Sequence, residues 1–222
     1  MFDFHRHINQ SELLLDAFYC TYKIEEWDKI NESISLGLLM NSSIEYDVDN
    51  ILIKLEHKLL LNKSFQIGEI GLDKRFKNVN QQVLFLDKCI TLAYKYNKVL
   101  TIHCVKSYDL LINILIKHQR NMPPLTILHG FSSSLDVAIK LKNLKVHISI
   151  NPDFIKTKAF RNIKEFDKLG FLIETDWDSD NDNNYQNYFL SFIETFKNIN
   201  LKNFEEINNE YRTILQNITS SR

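Results

Sequence analysis

Short apolar-rich runs alternate along this chain with longer stretches in which apolar residues recur three and four positions apart, the patterning of strand and amphipathic helix. The runs fall at 2–5, 33–39, 65–72, 99–104, 125–129, 145–150 and 170–175. Helical spacing is clearest over 49–61, where Ile51, Leu52, Leu55 and Leu59 form one stripe, and over 80–96, with Val83, Leu84, Leu86, Ile90 and Ala93. Stretches 107–118, 133–141 and 154–168 read as further helices, and the chain from Tyr185 onward as two more. Near the start, Leu13, Leu14, Ala17 and Phe18 stand at helical spacing. Asn9 precedes Glu12 by three, as in a capping box, and Ser11 is a second cap candidate, so a short helix is expected over 12–20. Residues 24–30 read as a helix or a loop.

Strands alternating with helices at this pitch indicate βαβ units and a parallel sheet. The expected fold is a TIM-barrel-like (β/α) barrel, trimmed or irregular. Seven strand runs are visible, and an eighth has to lie after Asp178, where no β run is evident. The chain is also short against the ~250 residues typical of that fold. The eighth strand is therefore expected to be short or missing, with a doubly wound open sheet as the alternative. No break in composition divides the chain, so residues 1–222 read as a single domain.

Composition narrows the class. A hydrophobic content of 44%, with only 5 Gly and 3 Pro, supports a sizeable core and argues against disorder. Cys20, Cys89 and Cys104 are too few and too scattered for a disulfide framework or a cysteine zinc site, so free, mostly buried thiols are expected. No apolar run is long enough to span a bilayer and the start does not read as a signal peptide, so a cytoplasmic protein without a membrane partner, and a monomer, is expected. Net charge is −1, from 27 basic and 28 acidic residues. That balance excludes a globally basic nucleic-acid binder but leaves Lys74, Arg75 and Lys106 as local candidates to hold a phosphate.

Chemistry gathers at the ends of the strand runs. His5 and His7 are two apart in a β-like lead-in, so their imidazoles share one face. Neutral imidazole is the commonest protein metal ligand. Glu69 lies in the third run, His103 in the fourth, His129 in the fifth and Asp176 just after the seventh. In a parallel barrel all strand C-termini open on one face, where these six would converge. Imidazoles and carboxylates together suit one or two hydrolytic divalent ions such as Zn²⁺, Mn²⁺ or Mg²⁺. Glu69, flanked by Ile67, Ile70 and Leu72, is an acid in an apolar strand and needs a partner there. Asp178, Asp180 and Asp182 read as a solvated loop, His57 and His118 as surface residues on helices, and His147 as a mid-strand residue away from the site.

The sequence resembles the TatD family of metal-dependent hydrolases, of the amidohydrolase-like TIM-barrel group. The matching segments are Phe-Asp-Phe-His-Arg-His at 2–7, Ile-Gly-Glu-Ile-Gly-Leu-Asp at 67–73, Thr-Ile-His-Cys at 101–104, Leu-His-Gly-Phe-Ser at 128–132 and Leu-Ile-Glu-Thr-Asp at 172–176. Gln82 and Phe85 also fit the pattern, and His-Cys-Val-Lys at 103–106 is the form of the short bacterial branch. The resemblance implies that His5 and His7 bind a first metal and that Glu69 bridges two ions. It further implies that His103 and His129 bind the second ion, and that Asp176 binds the first and handles the proton of the attacking water. Lys106 and Lys74 are then the substrate-binding candidates. The implied activity is phosphodiester hydrolysis, as a deoxyribonuclease acting on DNA ends.

Two departures bear on substrate. The family's Gly-x-His-Pro after the second strand is here Gly37-Leu38-Leu39-Met40, and the Arg that commonly follows the fourth-strand histidine by two is Val105. They motivate two alternatives: a metal-dependent hydrolase of a small phosphoester or a non-nucleic-acid ester, and a non-catalytic metal-stabilised relative.

Overall fold

The computed structural model describes residues 1–7, 17–28, 34–41, 45–178, 185–199, 201 and 203–220. Among them, eight strands run parallel, each paired to its neighbours in chain order. They are β1 (Asp3–His7), β2 (Ala17–Cys20), β3 (Ser35–Leu38), β4 (Gln66–Asp73), β5 (Val99–Val105), β6 (Leu125–Leu128), β7 (Val146–Ile150) and β8 (Leu172–Ile173). The helices are α1 (Val48–Leu61), α2 (Val79–Lys95), α3 (Tyr108–His118), α4 (Leu135–Asn143), α5 (Ile163–Leu169), α6 (Tyr185–Asn198) and α7 (Phe204–Ser220). The expected TIM-barrel-like architecture is the one observed.

Local chemistry accounts for the helices. Asp47 caps α1 by accepting from Asn50 N at 3.1 Å, and the stripe of Val48, Ile51, Leu55 and Leu59 turns inward. In α2 the buried face is Phe85, Leu86, Cys89, Ile90 and Ala93, joined by the polar Gln82. The stretch read as one helix over 154–168 resolves into two 3-10 turns, Pro152–Lys156 and Lys158–Asn162, followed by α5. All three thiols are free and buried. No helix among the described residues is long and apolar enough to cross a membrane.

The strand count corrects the reading of the N-terminal stretch. Residues 17–20, read as the end of a helix, are β2, while Asn9, Ser11 and Glu12 lie outside the described residues. Tyr19 and Cys20 pair with Arg6 and His7, and Phe18 packs among Phe2, Phe4, Val99, Leu125 and Leu172. A strand buried on both faces shows no alternation of polar and apolar residues, and its contacts override a helical spacing that spans barely a turn. The extra strand thus lies between the first two runs rather than after Asp178, and it is β8, two residues long, that is short.

The barrel is nearly closed, with one unsealed seam between β8 and β1. The chain leaving β8 crosses it: Asp176 N donates to His5 O and His7 N to Trp177 O, each at 3.1 Å, and Arg6 and Trp177 form an isolated parallel bridge. Buried Asp3 adds a side-chain clasp, accepting from Thr175 N (3.0 Å), Thr175 Oγ1 (2.6 Å) and Tyr185 OH (2.8 Å).

Candidate metal centre

All six predicted residues come together: His5 and His7 in β1, Glu69 midway along β4, His103 in the C-terminal half of β5, His129 just after β6 and Asp176 past β8. Glu69 stands at the middle of the group and is held there by glycine. A Cβ on Gly37 of β3 would lie 2.0 Å from Glu69 N, and Gly68, at φ +134°, would press a Cβ to 2.7 Å from that of Thr101. Two glycines therefore let three strands approach closely enough to bury a carboxylate with 2% exposure.

The two oxygens of Glu69 serve different histidines. Oε2 lies 3.5 Å from both His5 Nε2 and His7 Nε2, while Oε1 lies 2.6 Å from His129 Nε2 and 2.8 Å from His103 Nδ1. Asp176 completes the first side, its Oδ1 at 3.2 Å from His7 Nε2 and 3.6 Å from His5 Nε2. Its backbone has φ +54°, a left-handed conformation that Asp tolerates better than most residues. Its side chain keeps 34% exposure, so it is the ligand-type carboxylate that solvent or a substrate can reach.

Electrostatics follow from this crowding. Burial alone would raise the Glu69 carboxyl, yet the charge of His129 and hydrogen bonds from His103 and His129 hold it well below the ordinary range. Burial likewise opposes charge on His129, but Glu69 and Glu174 raise its pKa well above the usual value. His5 is lowered by burial and by the charge of His129. For Asp176, burial is outweighed by the hydrogen bond from His7 and the charges of His129 and His5, which lower it.

Three overlapping sets of ligand atoms lie within 4.8 Å of one another: His5 with His7 and Glu69, His5 with His129 and Asp176, and Glu69 with His103 and His129. The donor set fits a divalent ion. His5 Nε2 and Glu69 Oε2 are buried without a hydrogen-bond partner. Their separations of 3.5 to 3.6 Å on the His5 side match the edge of about 3.4 Å that a tetrahedron with bonds near 2.1 Å would have. The His103, His129 and Glu69 Oε1 contacts are shorter, at hydrogen-bonding distances.

Two further carboxylates, absent from the predicted set, support the ligands. Fully buried Glu174 has Oε1 at 3.6 Å from His129 Nδ1 and accepts from Gly130 N (2.6 Å) and from Ser149 Oγ. Asp3 accepts from His5 N at 3.2 Å, and burial raises its carboxyl to about 7 against four hydrogen bonds. Both sit inside segments already singled out, and the argument applied to Glu69, an acid in an apolar strand, picks them out equally. Lys74 and Lys106 lie just past β4 and β5 on the same rim, both exposed, and neither forms a hydrogen bond or ion pair with the six among the described residues. Arg75 is folded back onto Asp73 instead, with Nε at 2.9 Å from Oδ1 and Nη2 at 2.5 Å from Oδ2.

A parallel (β/α) barrel with imidazoles and carboxylates gathered at its strand ends has the architecture of a hydrolase able to hold metal ions. The sequence profile described as TatD related DNase matches residues 41–219, and the chain belongs to that family. The matched stretch begins beyond His5 and His7 and includes Glu69, His103, His129 and Asp176. In structure the chain is similar to YJJV, a TatD homolog from Escherichia coli K12, with TM-score 0.64 and 21% identity over 91% of this chain and 84% of that one. It is also similar to a TatD-family hydrolase from Entamoeba histolytica, with TM-score 0.53 and 18% identity over 72% and 60% of the two chains. At these identities the likeness establishes the fold. No curated protein matches the chain.

Proposed function

We propose that the protein is a divalent-metal-dependent phosphodiesterase, most concretely a deoxyribonuclease acting on DNA ends. The observation that carries this reading is the division of Glu69, one oxygen toward His5 and His7 and the other toward His103 and His129. His5, His7 and Asp176 would hold one ion and His103 and His129 a second, with Glu69 shared between them. Bound Mg²⁺, Mn²⁺ or Zn²⁺ would supply Lewis acidity, making water acidic enough to attack near neutral pH and offsetting the charge of the phosphodiester.

The chain's own contribution is positional. Asp176, partly exposed and kept ionised by its histidine neighbours, accepts the proton that water loses as its oxygen bonds to phosphorus. The P–O bond to the leaving alcohol breaks, and a proton returns to that oxygen. Glu174 orients His129 from behind, and Lys106 and Lys74 stand where a phosphate could be steered. The family membership supports a nucleic-acid substrate.

A second reading, hydrolysis of a small phosphoester or a non-nucleic-acid ester, is favoured by Leu39, which stands where the family carries histidine. The deciding experiment is a metal-supplemented screen of single-stranded DNA, bis-p-nitrophenyl phosphate, phosphomonoesters, carboxylic esters and lactones. Phosphodiester cleavage that chelator abolishes and divalent metal restores is expected. Metal-loaded protein that cleaves carboxylic esters but no phosphodiester would move the assignment to the second reading.

A further inference from the structure

Beside the centre, between the ends of β2, β3, β4 and β5, lies a cavity of about 240 Å³ walled by Tyr22, Leu39, Met40, Arg75, Phe76 and His103. It abuts the centre directly, because His103 belongs to both. Tyr22 joins it to the other ligand pair, its ring edge-on to His7 with centroids 4.7 Å apart. The buried amide of Gln82 braces the cavity, accepting from Asp73 N at 2.8 Å and donating to Met40 O at 3.1 Å. The loops after β3 and β4 are thus locked together before any ligand arrives.

The chemistry of the walls selects an occupant. Leu39, Met40 and Phe76 offer no polar side-chain atom. Asn41, Asp73 and Gln82 line the cavity as well, but the Asp73 carboxylate is paired with the Arg75 guanidinium and the Gln82 amide is bonded to Asp73 N and Met40 O. A phosphate placed here would lose its water without gaining an unpaired cation. An uncharged planar ring would instead meet aromatic faces, a polarisable thioether and the flat guanidinium. Size agrees: a cavity of roughly 150 Å³ holds benzene, whereas sites for drug-sized ligands start at roughly 300 Å³. One ring system fits, and a stacked pair does not.

We infer that this cavity receives a single unstacked nucleobase, that of the nucleotide bearing the scissile phosphate. The inference rests on the phosphodiesterase reading for its substrate. A base can enter only after leaving its stack, so single-stranded or frayed ends are preferred to intact duplex. Leu39 is then the specificity-determining residue, presenting an apolar wall to the base.

Two measurements on the full chain separate this inference from the function it rests on. In the first, saturation-transfer NMR with metal-free protein and thymidine should show transfer to the base protons, while 2-deoxyribose shows none. Phe76→Ala should weaken the transfer and Leu39→Trp, which fills the cavity, should remove it. In the second, kcat/KM of the metal-loaded protein for thymidine 5′-(p-nitrophenyl) phosphate should exceed that for methyl p-nitrophenyl phosphate by about ten- to a hundredfold, the range expected from one stacked base. Leu39→Trp should bring the ratio toward one. Equal rates on the two esters, with no transfer to thymidine, would overturn the base pocket and leave the phosphodiesterase intact. Transfer to thymidine with no cleavage of either ester would overturn the phosphodiesterase and keep the pocket. Transfer to hexanoate in place of thymidine would make the cavity an acyl site and overturn the inference.

Discussion

Glu69 and Asp176 are both carboxylates beside histidines, but their surroundings separate their roles. Glu69 is enclosed, touched on both oxygens and unable to meet solvent. Asp176 lies at the rim, bonded through one oxygen to His7, with a third of its side chain open. On the proposed reading the buried acid would bridge the centre, and the accessible one would exchange a proton with the reacting water. If Asp176 is the proposed base, Asp176→Asn keeps a ligating oxygen but can no longer take the proton. Turnover is therefore expected to fall by about 10²- to 10⁴-fold, while metal content by elemental analysis stays near that of the wild type. Wild-type turnover in the mutant would remove Asp176 from the reaction. The histidines of the centre offer no comparably clean experiment, since each touches two or more charged neighbours.

At the scale of elements, β2 and β7 make the most testable contacts. Phe18 of β2 is buried among Phe2, Phe4, Val99 and Leu125. Truncation to alanine is expected to lower unfolding free energy by about 3 to 5 kcal/mol, read from the midpoint of urea denaturation; a loss below 1 kcal/mol would contradict the strand. On β7, His147 packs against α7, its ring 4.3 Å from that of Tyr211 and its Nε2 3.3 Å from the phenol oxygen. Lys142 and Glu210 line the same cavity, at the N-terminal ends of β7 and β8. Burial, and secondly the charge of Lys142, lower His147 from 6.5 to about 4. The sign follows from linkage. Between those values the unfolded chain takes up a proton that the folded one refuses, so this stabilisation is complete above pH 6.5 and is lost as pH falls toward 4. The full loss, reached only below pH 4, is about 3 to 4 kcal/mol at most. Urea melts of wild type and His147→Asn at pH 7 and pH 4.5 should show the smaller pH-dependent loss in the mutant. Parallel losses would mean that His147 is protonated in the folded protein.

For the whole molecule, the seam of the barrel and the candidate metal centre coincide. The seam between β8 and β1 is spanned, among the described residues, by two backbone bonds around Asp176 and Trp177 and by the Asp3 clasp, and the candidate centre draws its residues from both sides of it. An ion bound by His5, His7 and Asp176 would tie β1 to the chain leaving β8, as well as relieve the crowding of partnerless buried polar atoms. Binding to the folded state alone adds about 2.7 kcal/mol at a hundredfold excess over Kd. In a chain of this size that raises Tm by roughly 5 to 10 °C. Thermal melts with chelator and with excess Mn²⁺ or Zn²⁺ measure it, and Glu69→Ala should abolish most of the shift. An unchanged Tm in the wild type would mean that the cluster binds no ion.

The sequence by itself determined the alternation of strand and helix along most of the chain and the gathering of His5, His7, Glu69, His103, His129 and Asp176. Each is written in local pattern: periodicity over one element, or a polar residue closing an apolar run. The tertiary structure alone decided that residues 17–20 form a strand, because a segment buried on both faces is shaped by Phe4, Val99 and Leu125 rather than by its own periodicity. It alone showed Arg75 spent on Asp73, and Asp3 and Glu174 serving the ligands, since those partners are distributed through the chain or depend on how a loop folds back. It decided the seam as well. Closure depends on where the two ends of a curved sheet meet; Asp3 in an apolar run signals a need for partners, but nothing local names Thr175 or Tyr185 as those partners.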